Sequence, residues 1–384
     1  MQGTELQQEA ERQITICNAC RYCEGICAVF PALQMQRSFA AGDINYLANL
    51  CHNCGACYHD CQFSPPHEFA VNLPKTLAEV RNDSYAQYAW PQALAPLFAR
   101  NGLKIAVLTA LSVTAFFIGL IVLNAPGELF RAHLAPEGFY ALMPHNTMAA
   151  LFGAVFLFSL VAMGMGLRAF WADANAVNTV ASSSPSIWQA IRDAGSLRYL
   201  DGGGAGCFNE DDQPRDNRRL YHHLTFYGFL LCFAATSVGT IYHYGFGRIA
   251  PYPWWDLPQM LGTVGGIGLA IGTGGLLAAR RKRLPDLVDQ RATGMDVAFI
   301  LMLFLTAVTG LALHILGGTA AMGVLLAIHL GVVFSLFLTM PYGKFVHGFY
   351  RFAALCRHAM SRRHGLNPAP PDRPVPAAAR ISGG

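Results

Sequence analysis

The sequence predicts an all-α protein in two parts: a short, cysteine-rich helical domain followed by a bundle of six membrane-spanning helices. Three observations predict it. Two copies of one cysteine pattern occupy the first 61 of 384 residues. The chain is 53% apolar and only 13% charged, about half the charged share usual in a soluble protein, and its apolar residues gather in long runs. No stretch alternates apolar and polar residues as a half-buried strand does, while Asp43–Leu50 and Leu73–Arg81 read as short helices.

The N-terminal part, residues 1–100, holds no apolar run long enough to cross a membrane. Its cysteines follow Cys17-x2-Cys20-x2-Cys23-x3-Cys27 and Cys51-x2-Cys54-x2-Cys57-x3-Cys61, which uses eight of the eleven in the chain. This is the ferredoxin run for a [4Fe–4S] cluster, in which three closely spaced thiolates hold one cubane and the fourth reaches across to the other. One cluster then takes Cys17, Cys20, Cys23 and Cys61, and the other takes Cys51, Cys54, Cys57 and Cys27. The domain is therefore an α-helical two-cluster ferredoxin. Structural zinc favours paired knuckles with four thiolates per ion over a four-cysteine run repeated whole. A disulfide framework needs an oxidising compartment, and no N-terminal stretch reads as a secretory signal. The proline usual after the fourth cysteine is replaced by Ala28 and Gln62. No C-x-x-C is followed by histidine, so covalent c-type haem is not indicated.

Residues 101–350 form the membrane part. Its apolar runs are Lys104–Asn124, Thr147–Trp171, His223–Tyr244, Pro258–Ala279, Asp296–Leu316 and Ala321–Pro341, each near the ~20 residues a bilayer needs. The fourth is glycine-heavy from Gly262 to Gly275, which suits close helix packing in lipid. Lys and Arg number six, five and seven in segments 168–221, 280–295 and 344–384, against one, one and none in 125–146, 244–257 and 317–320. The positive-inside rule places both termini and the Arg280–Arg283 run in the cytoplasm of a bacterial inner membrane. Reducing cytosol also suits thiolate ligands. Within the cytoplasmic loop 172–221, the segment Asp201–Asp212 does not fit a dinucleotide-binding glycine pattern. It reads as a flexible acidic loop or as a docking loop between the cluster domain and the membrane. Residues 351–384 read as a cytoplasmic tail, disordered after Arg363 where Pro, Ala and Arg dominate. The net charge of +4, with no basic stripe among aromatics, gives no support for a nucleic-acid partner.

Ionisable residues at membrane depth are costly and usually functional. His222, His223 and His347 fall at the cytoplasmic ends of the spans, and His243, His314 and His329 at the outer ends. Histidines from more than one helix at each face are what bis-histidine ligation of haem b requires, for one haem or for two stacked across the bilayer. His329 and His347 are 18 residues apart, a whole number of turns and about 27 Å of rise if the helix continues past Pro341. His222 and His243, 21 apart, differ by about 60° around a helix. His223 lies about 160° from His243, which makes His222 the better partner. His314 is an alternative outer ligand. Lys344 and Arg351 read either as haem-propionate partners or as inner-face anchors. An aromatic belt of snorkelling interface residues is the competing explanation for the histidines. His133 and His145, in an outer loop, and His52, His59 and His67, near the cysteines, read as structural or tuning residues. The loop Arg248–Asp256, with its tryptophans, is a candidate quinone site or part of the same belt.

Segments Cys17–Pro31, Tyr46–Cys57, Pro65–Phe69 and Tyr221–Phe229 resemble the tricarballylate/citrate-utilisation protein B family, and the likeness covers most of residues 12–350. The span from His329 through Pro341 to His347 also resembles the haem-binding helix of respiratory nitrate reductase gamma subunits and heterodisulfide reductase membrane subunits. The resemblance implies a membrane electron-transfer protein that reoxidises the reduced flavin of an FAD-dependent tricarballylate dehydrogenase and passes electrons to the quinone pool. The chain shows no acid–base or nucleophile constellation of its own, so substrate oxidation falls to the partner. One alternative keeps the cofactors and reverses the flow, from quinol to a cytoplasmic reductase. Another is a transporter component whose ferredoxin domain senses redox state, although no paired carboxylates lie mid-membrane and no inverted repeat is evident.

Overall fold

The computed structural model describes residues 2–36, 38–98, 102–134, 138–176, 184–200, 202–204, 206–208, 215 and 217–364. Helix α1 (Gln2–Cys20) carries Cys17 and Cys20 on its last turn and stops where Arg21 takes a left-handed φ of 59°. The following turn presents Cys23, and α2 (Val29–Gln34) begins just past Cys27. The second cysteine copy is folded differently. Helix α3 (Ala41–Leu50) stops before Cys51, and left-handed Asn53 (φ 51°) and Gly55 (φ 90°) lead into α4 (Ala56–His59). Asp43 steadies the start of α3 by accepting the Ala40 N–H at 3.3 Å. Helix α5 (Leu73–Gln87) starts on Asn72, whose side chain accepts the Lys75 N–H at 3.2 Å, with Pro74 in the first turn. The apolar faces of these helices meet at Ile14, Leu33, Leu47, Leu50 and Leu77, all buried.

A short α6 (Ala95–Phe98) leads to α7 (Gly102–Leu123) and α8 (His145–Ala174). Helix α9 (Ser184–Gly195) precedes α10 (Asn217–Phe246), α11 (Leu257–Arg281), α12 (Thr293–Leu316) and α13 (Met322–Thr339). The expected six spans are present: six helices are long and apolar enough to cross a membrane. The chain is all-helical, with no strand among the described residues. Helix α10 packs along α11, α11 along α12, α12 along α13 and α7, and α13 along α7 and α8. Glycines bring α10 and α11 together: a Cβ on Gly228 would lie 2.6 Å from the Leu269 nitrogen, and one on Gly272 2.5 Å from the Thr225 nitrogen.

The structure corrects two expectations at the C-terminal end. Helix α13 does not continue past Pro341, which has no N–H to extend the ladder. The chain turns through 340–343 instead, where the Gly343 N–H reaches the Thr339 carbonyl at 2.9 Å. His347 then opens a new helix, α14 (His347–His364), so the whole-turn alignment of His329 with His347 does not hold. The segment expected as tail from residue 351 is helical as far as His364, and residues 365–384 lie outside the described residues. Helix α14 packs against α9, α3 and α8 and buries Tyr350, Ala354 and Leu355.

These contacts join the cysteine domain to one end of the bundle. Arg357 of α14 pairs with Asp43 of α3 at 2.8 Å, both nearly inaccessible to solvent, and its guanidinium sits 4.1 Å over the Tyr46 ring. Gly42 lies against the Asp173 carbonyl of α8, with room for no Cβ, and the Tyr88 hydroxyl donates to the Asp173 carboxylate. Asn72 and Asn82 reach the Asp286 carbonyl at 2.8 Å and the Asp289 carboxylate at 3.0 Å, beyond α11.

Candidate functional site

The eight cysteines fall into two sets, each around its own cavity. Cys17, Cys20, Cys23 and Cys61 line the first, together with Cys57, which lines both cavities. Cys27, Cys51, Cys54 and Cys57 line the second. The fold thus swaps the fourth cysteine of each run onto the other set, as the ferredoxin spacing implies. Electrostatics reports the same grouping. Burial, then Cys61, Cys23 and Cys20, pushes the Cys17 thiol up to about 12. Burial, then Cys61, Cys20 and Asp60, does the same to Cys23, also up to about 12. Cys27 is raised by burial, Cys51 and Cys54, and Cys57 by burial, Cys54, Cys27 and Cys51, with Cys23 of the other set acting last. Thiols crowded in this way surrender their protons when a metal binds. Among the described residues no three His, Cys, Asp or Glu side chains converge on one point as a single ion would require. Four thiols ranged around a cavity are the donor set that a cubane takes.

The second set faces the membrane bundle. Gly202, with φ 58°, lies beside Cys54, where a Cβ would stand 3.8 Å from its sulfur. The Phe208 N–H donates to the Cys54 carbonyl at 3.0 Å, and the Phe208 ring stacks on His59 at 4.2 Å. The glycine segment therefore packs on the cluster domain; Asp201, Ala205 and Asn209–Asp212 lie outside the described residues. Three arginines from the membrane side reach the same loop. Arg218, at the start of α10, donates to the Asn53 carbonyl at 2.7 Å and the His52 carbonyl at 3.3 Å. Arg283, after α11, donates to the Asn53 carbonyl, to its side-chain oxygen at 2.7 Å, and to the carbonyls of Cys54 at 3.3 Å and Phe208 at 3.1 Å. Arg351, in α14, donates to Asn49 at 3.2 Å and Cys51 at 2.7 Å. Arg81 adds a fourth guanidinium, also on the Cys51 carbonyl at 2.7 Å. Burial first, then a neighbouring guanidinium, pulls Arg283 and Arg351 down to about 10, which leaves both charged at neutral pH.

His222 and His347 meet directly beyond this loop. Their ring centres are 6.1 Å apart and nearly perpendicular, at 80°. Two imidazoles on opposite sides of one metal, with bonds of about 2 Å, stand with ring centres about 6 Å apart. The His347 Nδ1 bonds the Lys344 carbonyl at 2.5 Å, which orients the ring and leaves Nε2 free. The buried Nδ1 of His222 has no hydrogen-bond partner among the described residues. Burial, then Arg351, His222 and Lys344, holds His347 well below the usual histidine range, in the neutral form that a metal requires. These two residues fit a bis-histidine haem. His52 of the second cysteine run is buried beside them, its Nδ1 on the Leu50 carbonyl at 3.1 Å. Burial, then Arg351, Arg218 and His222, holds it neutral too.

The remaining histidines are not arranged this way. His223 stacks toward Tyr227, with ring centres 6.0 Å apart. At the far end of α10 His243 stacks on His145 of α8, rings 3.5 Å apart and 15° from parallel. Stacked rings do not face one iron from opposite sides, so the outer site as placed does not fit a second haem. His329 bonds the Thr309 hydroxyl at 2.9 Å beside Gly310, whose missing side chain makes room for the imidazole. His314 is exposed. His133 bonds the Glu128 carbonyl at 2.8 Å. Lys344 engages Asp296 at 3.0 Å and Asn82 at 3.2 Å, and Arg351 the cysteine loop, so both have other partners than propionates. Sequence reasoning missed the arginine contacts, the position of His52 and the pairing of His145. The basic loop counts were the available signal for the arginines.

A family model described as Citrate utilization protein B Fer4-like domain matches residues 10–87, and one described as Citrate utilization protein B matches residues 96–367. A protein of Escherichia coli called Citrate utilization protein B is 49% identical over 363 residues, covering 94% of each chain. No solved structure matches the chain. The two-part architecture, the paired cysteine runs and these matches together show that the chain belongs to the citrate utilization protein B family.

Proposed function

We propose that the protein is a membrane electron carrier between a cytoplasmic flavoprotein dehydrogenase of tricarballylate or citrate utilisation and the quinone pool. In this reading Cys17, Cys20, Cys23 and Cys61 hold one [4Fe–4S] cluster, Cys27, Cys51, Cys54 and Cys57 hold another, and His222 with His347 holds haem b. When bound, these groups supply one-electron carriers between two-electron partners, the reduced FAD of the dehydrogenase and a quinone. The protein's own part is positioning. The arginines fix the second cysteine loop on the bundle, and the Lys344 carbonyl orients His347. The observation that carries the reading is the placement of the second cysteine set beside the His222–His347 pair, at the end of the bundle that bears most of the basic residues. That end is cytoplasmic by the positive-inside rule, so both termini face the cytoplasm of a bacterial inner membrane.

The test uses the full chain, purified without oxygen and reconstituted in liposomes. After reduction with dithionite and removal of excess reductant, added decylubiquinone is expected to reoxidise the visible chromophores. Chromophores that stay reduced after quinone addition contradict the proposed acceptor.

A further inference from the structure

The two cysteine sets differ in the charges around them. Arg218, Arg283 and Arg351 converge on residues 49–54 from three separate segments. Among the described residues their hydrogen bonds go to carbonyl or amide oxygens and to the Cys207 sulfur, none to a carboxylate. Their positive charge is thus left to act on the loop. Backbone N–H groups also point at this set's sulfurs: Asn53 at Cys51, at 3.3 Å, Ala56 at Cys54, and Val29 and Phe30 at Cys27. The first set is differently placed. Arg21, next to Cys20 in the chain, is exposed and bonds the Asn18 carbonyl at 3.2 Å. The Asp60 carboxylate acts on Cys23, and Gln62 reaches the Cys20 sulfur at 3.7 Å.

One-electron reduction adds one negative charge to a group held by four thiolates. Cations and N–H donors close to those sulfurs favour that charge, and a carboxylate opposes it. We propose that Arg218, Arg283 and Arg351 hold the Cys27/Cys51/Cys54/Cys57 centre at a higher reduction potential than the Cys17/Cys20/Cys23/Cys61 centre. The arginines that dock the domain therefore also give electron flow its direction, from the outward-facing set toward the His222–His347 pair. The inference rests on the two-cluster reading above. It names three positioning residues, since none of them touches a reacting atom.

The experiment is an EPR redox titration of the full chain, with dithionite as reductant. Wild type is expected to show two cluster signals with separate midpoints. Arg283→Gln and Arg351→Gln should each move the higher midpoint to more negative potential and leave the lower one in place, whereas Arg283→Lys should restore most of the shift. Asp60→Asn, at an exposed site away from the arginines, should raise the lower midpoint, so the proposal stays open to refutation even if an arginine variant fails to dock. A shift confined to the lower midpoint in the arginine variants overturns the proposal. So does equal movement of both midpoints, or an unmoved pair with full iron content, and so does an Asp60→Asn variant whose lower midpoint stays where it was. A wild type lacking two cluster signals would instead overturn the cluster assignment.

Discussion

His347 shows how a single residue acquires its role from several neighbours. It opens a helix, so its side chain is set by the preceding turn, and the Lys344 carbonyl fixes its ring at 2.5 Å. Burial and Arg351 keep it neutral. Removing it should leave His222 facing an open site while the cysteine sets, whose loop is held by Arg81, Arg218, Arg283 and Arg351 and not by His347, stay intact. His347→Ala is therefore expected to lose b-type absorbance and to keep its iron–sulfur content, as read by optical spectra beside an iron assay. Full b-type absorbance in that variant would move the haem to other histidines. The pairing was only half legible in the sequence. Both residues could be assigned to one membrane face from loop charges, but their contact depends on a chain reversal at 340–343 that no helical count across Pro341 contains.

Among the elements, α10 and α11 are set by glycine. The glycine-heavy fourth span was readable from the sequence because small side chains are the one local signature of close helix approach in lipid. Gly272 has no room for a side chain, whereas a Cβ on Gly274 would make only ordinary contact with Phe304, at 3.9 Å. Gly272→Leu should cost about 1–3 kcal/mol through overpacking and lower the thermal midpoint in detergent, while Gly274→Ala stays near wild type. Equal midpoints for the two variants would deny the close crossing. Helix α14 taught the opposite lesson. Its sequence reads as a polar tail, because the partners that bury it, Asp43, Tyr46 and the faces of α9 and α8, lie far away in the chain.

For the molecule as a whole, the cysteine spacing implies the exchange of Cys27 and Cys61 between sets; Cys61 lines the first cavity and Cys27 the second. The spacing carries that information because three ligands of each set are local. What the spacing does not contain is which set faces the membrane. Arg218, Arg283 and Arg351 reach the loop of the second set from the ends of the bundle helices and α14. The positions of His243, His314 and His329 along their helices allow a second haem, but rotation and neighbours bring His243 onto His145. The central claim is that this chain holds two cubane clusters and a haem at the His222–His347 pair. Its most direct test is a count of non-haem iron and haem, with optical and EPR spectra, on the full chain purified without oxygen. The account predicts about eight non-haem irons per chain together with a dithionite-induced b-type α-band. Half that iron, or a reduced spectrum without the band, contradicts it.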